Sequence, residues 1–351
     1  MKFGGPATNA NLPLCTEQIR TPAFSNHLRV SFYTDFPGSL YKTPRPCSSF
    51  RSQYLKRYVN LIQECLFSYK GNPVTLKSVN EGGNDLGDFA SQRTDDSWTQ
   101  FAQSFRSAEQ VPASRWATVF EPLRTGSVDD LVIVAQIGQS LDGRIATSSG
   151  HSKYINGPAG LAHLHRLRSL VDAVVVGVGT ALADDPQLTV RRVEGPNPVR
   201  VVVDPNGRLP ANARMLVQDG ARRFIITATN ARKSAVNGVE IVPLPLTDGR
   251  IAPAAILAEL AKRGMRRILI EGGADTVSRF FSAGCLDRLH VIIAPIILGN
   301  GRPSFILPSL ERADQAERIS VRAHQFDDEV LFDCDLSPQR VPISGSANKS
   351  T

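Results

Sequence analysis

The residues best equipped for chemistry fall in two stretches of the chain. The first is Arg267-Ile-Leu-Ile-Glu271-Gly272-Gly273-Ala274-Asp275. A strand-like apolar run ends there in a carboxylate, and two glycines lead into a helical pattern. Glycine lets a ligand approach the backbone closely, and the free N–H groups of a helix start favour phosphate. Glu271 at the carboxyl end of a strand could accept hydrogen bonds from a polar substrate. A tight strand–helix turn capped by Glu271 would use the same residues.

The second stretch runs from Leu131 to Arg192. It begins as LVIVAQI, turns through Ser140-Leu141-Asp142-Gly143-Arg144, and continues through GHSKYING to a basic helix carrying Arg168. A second strand ends in Gly177-Val178-Gly179-Thr180, and Asp184-Asp185-Pro186 leads on to Arg191-Arg192. Arginine binds phosphate in bidentate fashion, so Arg191 and Arg192 with Lys153 and Arg168 could grip a phosphate; ordinary surface charges would look the same. The GVGT segment is not a dinucleotide fingerprint, because Leu182 stands where the third glycine belongs. Asp142-Gly143 reads as a structural turn. His163 and His165 lie two apart on a predicted helix and point to different faces, which argues against a metal pair. The chain has no GxSxG elbow, no HExxH pair and no zinc-deaminase signature.

These residues need elements to hold them. From Asp130 apolar β-branched runs alternate with helical patterns: LVIVAQI, PAGLAHLHRLRSL, DAVVVGV, VRVVVD, RRFIITAT, APAAILAELAKRG, RRILIEGG, ADTVSRFFSAG and LHVIIAPIIL. Apolar strands alternating with helices predict an α/β fold with a mostly parallel central sheet covered on both faces. ISVRAHQFDDEVLFDCDL predicts a final antiparallel hairpin. In such a sheet ligands bind at the carboxyl ends of the strands. Residues 1–110 show little periodicity and read as a poorly structured extension, with one helical candidate at Ser52–Tyr69. Residues 111–129 read as an approach segment whose Trp116 and Phe120 could dock on the next domain. The folded domain is expected at 130–336, and 337–351 as a disordered polar tail.

The bulk numbers narrow the function classes. The 351 residues are 42% hydrophobic, enough for a sizeable core, and the net charge of +7 suits anionic ligands without demanding nucleic acid. Cys15, Cys47, Cys65, Cys285 and Cys334 form no CxxC pair, which disfavours a disulfide framework or a zinc site and suits a reducing, cytoplasmic compartment. No apolar run is long enough for a membrane span.

Taken together, QSLDGRIAT, GHSKYING, LRSLVDAVVVGVGT, DDPQLTVRR, PVRVVVD, LIEGGADT and DRLHVIIAPIILG resemble, in order and spacing, the reductase domain of the bacterial riboflavin-biosynthesis deaminase/reductase, a pyrimidine reductase of dihydrofolate-reductase-like fold. The resemblance implies NADPH-dependent reduction of 5-amino-6-(5-phosphoribosylamino)uracil, with hydride passing to C1′ of the opened ribose. By position it puts Ser152, Lys153, Arg168, Leu188, Arg191 and Glu271 at the substrate. It puts Tyr154, Thr180, Asp184, Gly272, Gly273, Ala274, Asp275 and Thr276 at the cofactor. It singles out no obligatory general acid, and it implies a homodimer and no metal. Two departures stand out. His151 replaces the family's usual Glu, and the first 110 residues do not resemble the deaminase domain, so deamination would fall to another protein. A reductase of the same fold working on another heterocycle, and a non-catalytic nucleotide-binding protein, are the alternative expectations.

Overall fold

The computed structural model describes residues 96–343, apart from 108–109, 111–112, 127 and 232–235; the helical candidate at Ser52–Tyr69 lies outside them. In chain order the helices are α1 (Asp96–Ser107), α2 (Ala117–Phe120), α3 (Pro158–Leu170), α4 (Val178–Asp184), α5 (Pro253–Lys262) and α6 (Ala274–Ser282). The strands are β1 (Val132–Ser140), β2 (Arg144–Ala146), β3 (Ala173–Gly177), β4 (Val199–Val203), β5 (Arg223–Ala228), β6 (Glu240–Leu244), β7 (Arg267–Glu271), β8 (Arg288–Ala294), β9 (Arg302–Pro303), β10 (Ser320–Phe326) and β11 (Glu329–Asp335).

The main sheet has the order β10-β11-β8-β1-β7-β3-β4-β5-β6. Pairing is parallel from β8 through β6, and antiparallel between β8 and β11 and within the β10–β11 hairpin. The expected parallel sheet with a terminal hairpin is therefore the architecture observed. Strand residues alternate between two apolar layers. Val132, Val134, Val174, Val176, Val202 and Leu269 face one, and Ile133, Ala135, Val175, Val201, Ile268 and Ile270 face the other. α3 and α4 cover the first layer, and α5 and α6 cover the second.

Two expected boundaries need correction. α1 lies inside the stretch read as an extension, yet Trp98, Phe101, Ala102 and Phe105 are buried in the first layer together with Trp116 and Phe120. Their i, i+3, i+4, i+7 spacing is an amphipathic stripe. Trp98 packs edge-on to Trp116 and Phe120, with ring centroids 5.6 and 5.4 Å away. The chain after Ser337 is likewise not wholly a loose tail. Ser337–Gln339 forms a 3₁₀ turn, buried Arg340 pairs with Asp287 at 3.4 Å, and the Ile343 N–H donates to Asp129.

β6 and α4 were not among the expected elements, nor were the short paired strands β2 and β9. β6 contains Pro243, which is tolerated because β6 is the last strand of the sheet. The GVGT segment opens a short helix, α4, which ends where Asp185 enters the left-handed region at φ +39°. Among the described residues no helix is long and apolar enough to cross a membrane.

Candidate active site

Four adjacent strands, β1, β7, β3 and β4, bring one level of the sheet to the surface. Gln136 pairs with Glu271, Glu271 with Val176, and Gly177 with Val203. Residues of this level line a cavity of about 780 Å³, within the range of small-molecule sites.

One end of the cavity is built from charge. Arg168 reaches it from the last turn of α3, and Glu271 from the end of β7. Arg168 Nε and Nη2 donate to the two Glu271 oxygens, each at 2.7 Å, and Nη1 donates to the Thr189 carbonyl at 3.0 Å. Both side chains are buried, and both line the cavity. The sequence does not show that Arg168 and Glu271 are coupled; each already satisfies the other, as buried charges must. Of the five guanidinium N–H groups, one on Nη1 and one on Nη2 are left for a ligand.

A basic field surrounds this pair. Burial, then the cations of Arg168, Arg191 and Arg192, push His165 down to about 3. His165 is thus neutral, and its Nδ1 accepts the Arg191 backbone N–H at 2.9 Å. Partial desolvation, then the neighbouring guanidiniums of Arg168, Arg214 and Arg192, lower Arg191 as well, while Glu271 opposes the shift. Cations that repel one another in this way are ready to take an anion.

The other end is built from backbone. Gly272, at φ +83°, and Gly273 lead from β7 into α6. A Cβ on Gly272 would lie 2.7 Å from the Thr180 methyl, and one on Gly273 would lie 2.9 Å from the Thr180 hydroxyl. That hydroxyl accepts the Gly273 N–H at 2.9 Å. The N–H groups of Ala274, Asp275 and Thr276 form the first turn of α6, where no intrahelical acceptor exists. Beside them, a Cβ on Gly179 would meet nothing within 4 Å. Open space next to uncommitted N–H groups at a helix start fits a pyrophosphate.

Ser152 joins the two ends by donating its hydroxyl to Asp184 at 3.0 Å. Leu188, buried at φ +55°, lines the wall between them. Thr180, Asp184 and Gly272 to Thr276 all line the cavity. Lys153, Tyr154 and Arg191 do not. All three are exposed and stand outside the lining, Tyr154 with 88% of its surface free. His151 is also exposed and outside it, so the departure at that position does not alter the wall.

The structure adds lining residues that sequence reasoning missed: Gln136, Asn156, Asn206, Arg208 and Arg302. Gln136 carried a signal, as the one polar side chain in LVIVAQI. Asn206 and Arg208 follow β4 in an Asn-Gly turn. Asp142 is structural, as expected. It accepts from the Ser140 hydroxyl and from the Leu298 and Gly299 N–H groups, which hold it down at about 2. His163 and His165 point apart, His163 to His290 at 2.9 Å and His165 to Arg191.

Residues 132–330 match the family described as the RibD C-terminal domain. A 2,5-diamino-6-ribosylamino-4(3H)-pyrimidinone 5′-phosphate reductase of Archaeoglobus fulgidus is 36% identical over 184 residues, covering 49% of this chain and 83% of that protein. Riboflavin biosynthesis protein RibD of Bacillus amyloliquefaciens is 31% identical over 61% of this chain, which spans only 58% of that protein's length. Among solved structures, form 1 of Acinetobacter baumannii RibD is 26% identical with a TM-score of 0.52, covering 62% of each chain.

Proposed function

The chain belongs to the RibD C-terminal domain family, and from that premise we propose that it is an NADPH-dependent reductase of a ribosylamino-pyrimidine 5′-phosphate in riboflavin biosynthesis. The observation that carries this reading is the joining, in one cavity, of the Arg168–Glu271 pair in its basic field with the backbone cradle at Gly272-Gly273.

NADPH, when bound, would supply the hydride that adds to the C1′=N imine of the substrate, formed when the C1′–O4′ bond opens, and water would supply the proton that completes the ribitylamine. Gly272, Gly273 and the first N–H groups of α6 hold its pyrophosphate, with Thr180 bracing the turn. Arg168 offers its two remaining N–H groups to the sugar phosphate, and Glu271 keeps that guanidinium in place. Arg191, Arg192 and Arg214 add attraction for the phosphate from outside the wall. The three carboxylates of the lining already have donors or a cation on them: Glu271 has Arg168, Asp184 has Ser152 and Asp275 has Arg250. No side chain is therefore assigned as the general acid, and the protein contributes position and charge.

The preferred substrate is 5-amino-6-(5-phosphoribosylamino)uracil. The likeness to the Archaeoglobus reductase favours a second reading, in which the 2,5-diamino-pyrimidinone is reduced before deamination. Purified protein is expected to oxidise NADPH when given one of these two phosphates and to be idle with both unphosphorylated ribosides. NADPH binding without turnover of either phosphate rejects the assignment and favours another heterocycle or a binding role. The same reading includes a homodimer in the cytoplasm. Exposed Leu141, Ile297 and Ile306 support the first, and the free thiols of buried Cys285 and Cys334 support the second. Sedimentation at micromolar concentration tests the dimer.

A further inference from the structure

Glu329 and Asn156 have no place in the chemistry above, yet they meet at the cavity wall. Glu329 opens β11, is 1% exposed, and has no ion-pair partner among the described residues. Its carboxylate accepts three N–H groups instead. Oε1 takes the Asn156 side-chain amide at 2.8 Å and the Gly157 backbone at 2.9 Å, and Oε2 takes the Gly160 backbone at 2.8 Å. Gly157 is the N-cap of α3 and Gly160 lies in its first turn, so the negative charge rests on the helix start.

This arrangement fixes the orientation of the Asn156 amide. A carboxylate only accepts, so it must face the NH₂ end and leave the oxygen turned away. The oxygen's resting place is well defined. A Cβ on Gly138 would lie 1.6 Å from Asn156 Oδ1, so the amide oxygen occupies a spot on β1 that only glycine leaves open. Gly138 and Asn156 both line the cavity, beside Gln136. No donor among the described residues reaches Oδ1. An acceptor that is rigidly aimed, beside a ligand cavity and unused by the protein, is suited to recognition.

We infer that Asn156 Oδ1 is a ligand-binding acceptor that takes an N–H donor from a planar group lying over β1, and that Glu329 is the positioning residue that keeps the oxygen, not the NH₂, turned to the ligand. The inference rests on the reductase reading, which brings two such donors into the cavity: the carboxamide of the nicotinamide and the exocyclic amine of the pyrimidine. Both offer the same chemistry. A carbonyl or methyl in the same position would meet the oxygen unfavourably, so Asn156 selects for the N–H.

The test measures dissociation constants of the full chain for two ligand pairs by calorimetry. NADPH is compared with its 3-acetylpyridine analogue, in which a methyl replaces the carboxamide NH₂. The pyrimidine phosphate is compared with an analogue whose exocyclic amine is replaced by hydrogen. Wild-type protein is expected to favour the N–H member of one pair by roughly three- to tenfold. In Asn156→Ala that preference falls to near unity, and the pair affected identifies the donor. In Glu329→Gln one oxygen is left to serve two positions that both receive N–H groups, so the Asn156 amide is no longer held in one orientation, and the same preference is reduced. Each ratio is taken within one variant, so a modest loss of stability does not disturb it. Wild-type preferences retained in both pairs by Asn156→Ala overturn the inference. Failure of wild-type protein to bind any of the four ligands overturns the reductase reading, and this inference with it.

Discussion

The two ends of the cavity are made from different materials. The end at Arg168 and Glu271 is a constellation of side chains drawn from α3 and β7, held by a bidentate ion pair and set in a field of further arginines. The end at Gly272-Gly273 is backbone, shaped by a positive φ and the start of α6. Side-chain recognition is specific but depends on every partner being present, because a buried charge that loses its partner is costly. Backbone recognition tolerates changes in neighbouring side chains but not the arrival of a Cβ. On the proposed reading the side-chain end would meet the substrate, whose chemistry varies from enzyme to enzyme, and the backbone end the pyrophosphate, whose chemistry does not.

Variants can break this contrast or sharpen it. Arg168→Ala should be the most damaging. It leaves Glu271 buried and unpaired, and urea unfolding should show a loss of about 3–5 kcal/mol, with turnover abolished. A loss under 1 kcal/mol would mean that the pair is hydrated, and the contrast would fail.

Acid should act next, and on the charged end. Folded His165 is neutral with a pKa near 3, while the unfolded chain takes up that proton around 6.5. Between those values the unfolded state binds more protons, so stability rises with pH through the window and levels off above it. From pH 7 down to pH 5 His165 should contribute a loss of about 2 kcal/mol. Buried His163 shifts in the same direction and adds to it. Replacing His165 with Gln should flatten that part of the profile; an unchanged slope would remove His165 as its source.

Gly272→Ala should separate the two ends. Forcing a Cβ into the left-handed region costs about 1–2 kcal/mol, and the methyl also crowds Thr180. NADPH should bind about tenfold more weakly, while the KM for the pyrimidine changes less than twofold; parallel losses would mean that the ends are not independent. Arg191→Ala should do the reverse at a smaller scale. The pyrimidine KM should rise several-fold while stability stays within about 0.5 kcal/mol, since Arg191 is exposed; an unchanged KM removes Arg191 from the phosphate field. The smallest effect on the site itself is expected from Trp98→Phe, which acts through the fold. The indole N–H donates to the Glu194 carbonyl at 3.1 Å, and its loss should cost about 1 kcal/mol and loosen the segment that carries Arg191.

Much of this molecule could be read from its residues. The β-branched runs and the Glu-Gly-Gly exit placed the parallel sheet and the backbone end of the cavity, because both depend on local pattern: period, propensity and the freedom of glycine. α1 was missed although Trp98, Phe101, Ala102 and Phe105 carry a helical stripe. Its neighbours are rich in turn residues, and a short amphipathic helix declares itself only against the surface it covers. Asn156 was missed because nothing about a single asparagine in a loop distinguishes a turn from a site.

The sequence by itself determined the alternation of the main apolar strands with helices, the glycines at the exit of β7, and which arginines could meet an anion. Tertiary structure alone decided which charges are already satisfied. Arg168 and Glu271 lie 103 residues apart and meet as one buried pair, and Glu329 reaches back 173 residues to set the amide of Asn156. Local conformation is written in neighbouring residues. Burial and hydrogen-bond partnership are properties of packing, and they decide which N–H groups of an arginine are already spent on a carboxylate and which are left for a ligand.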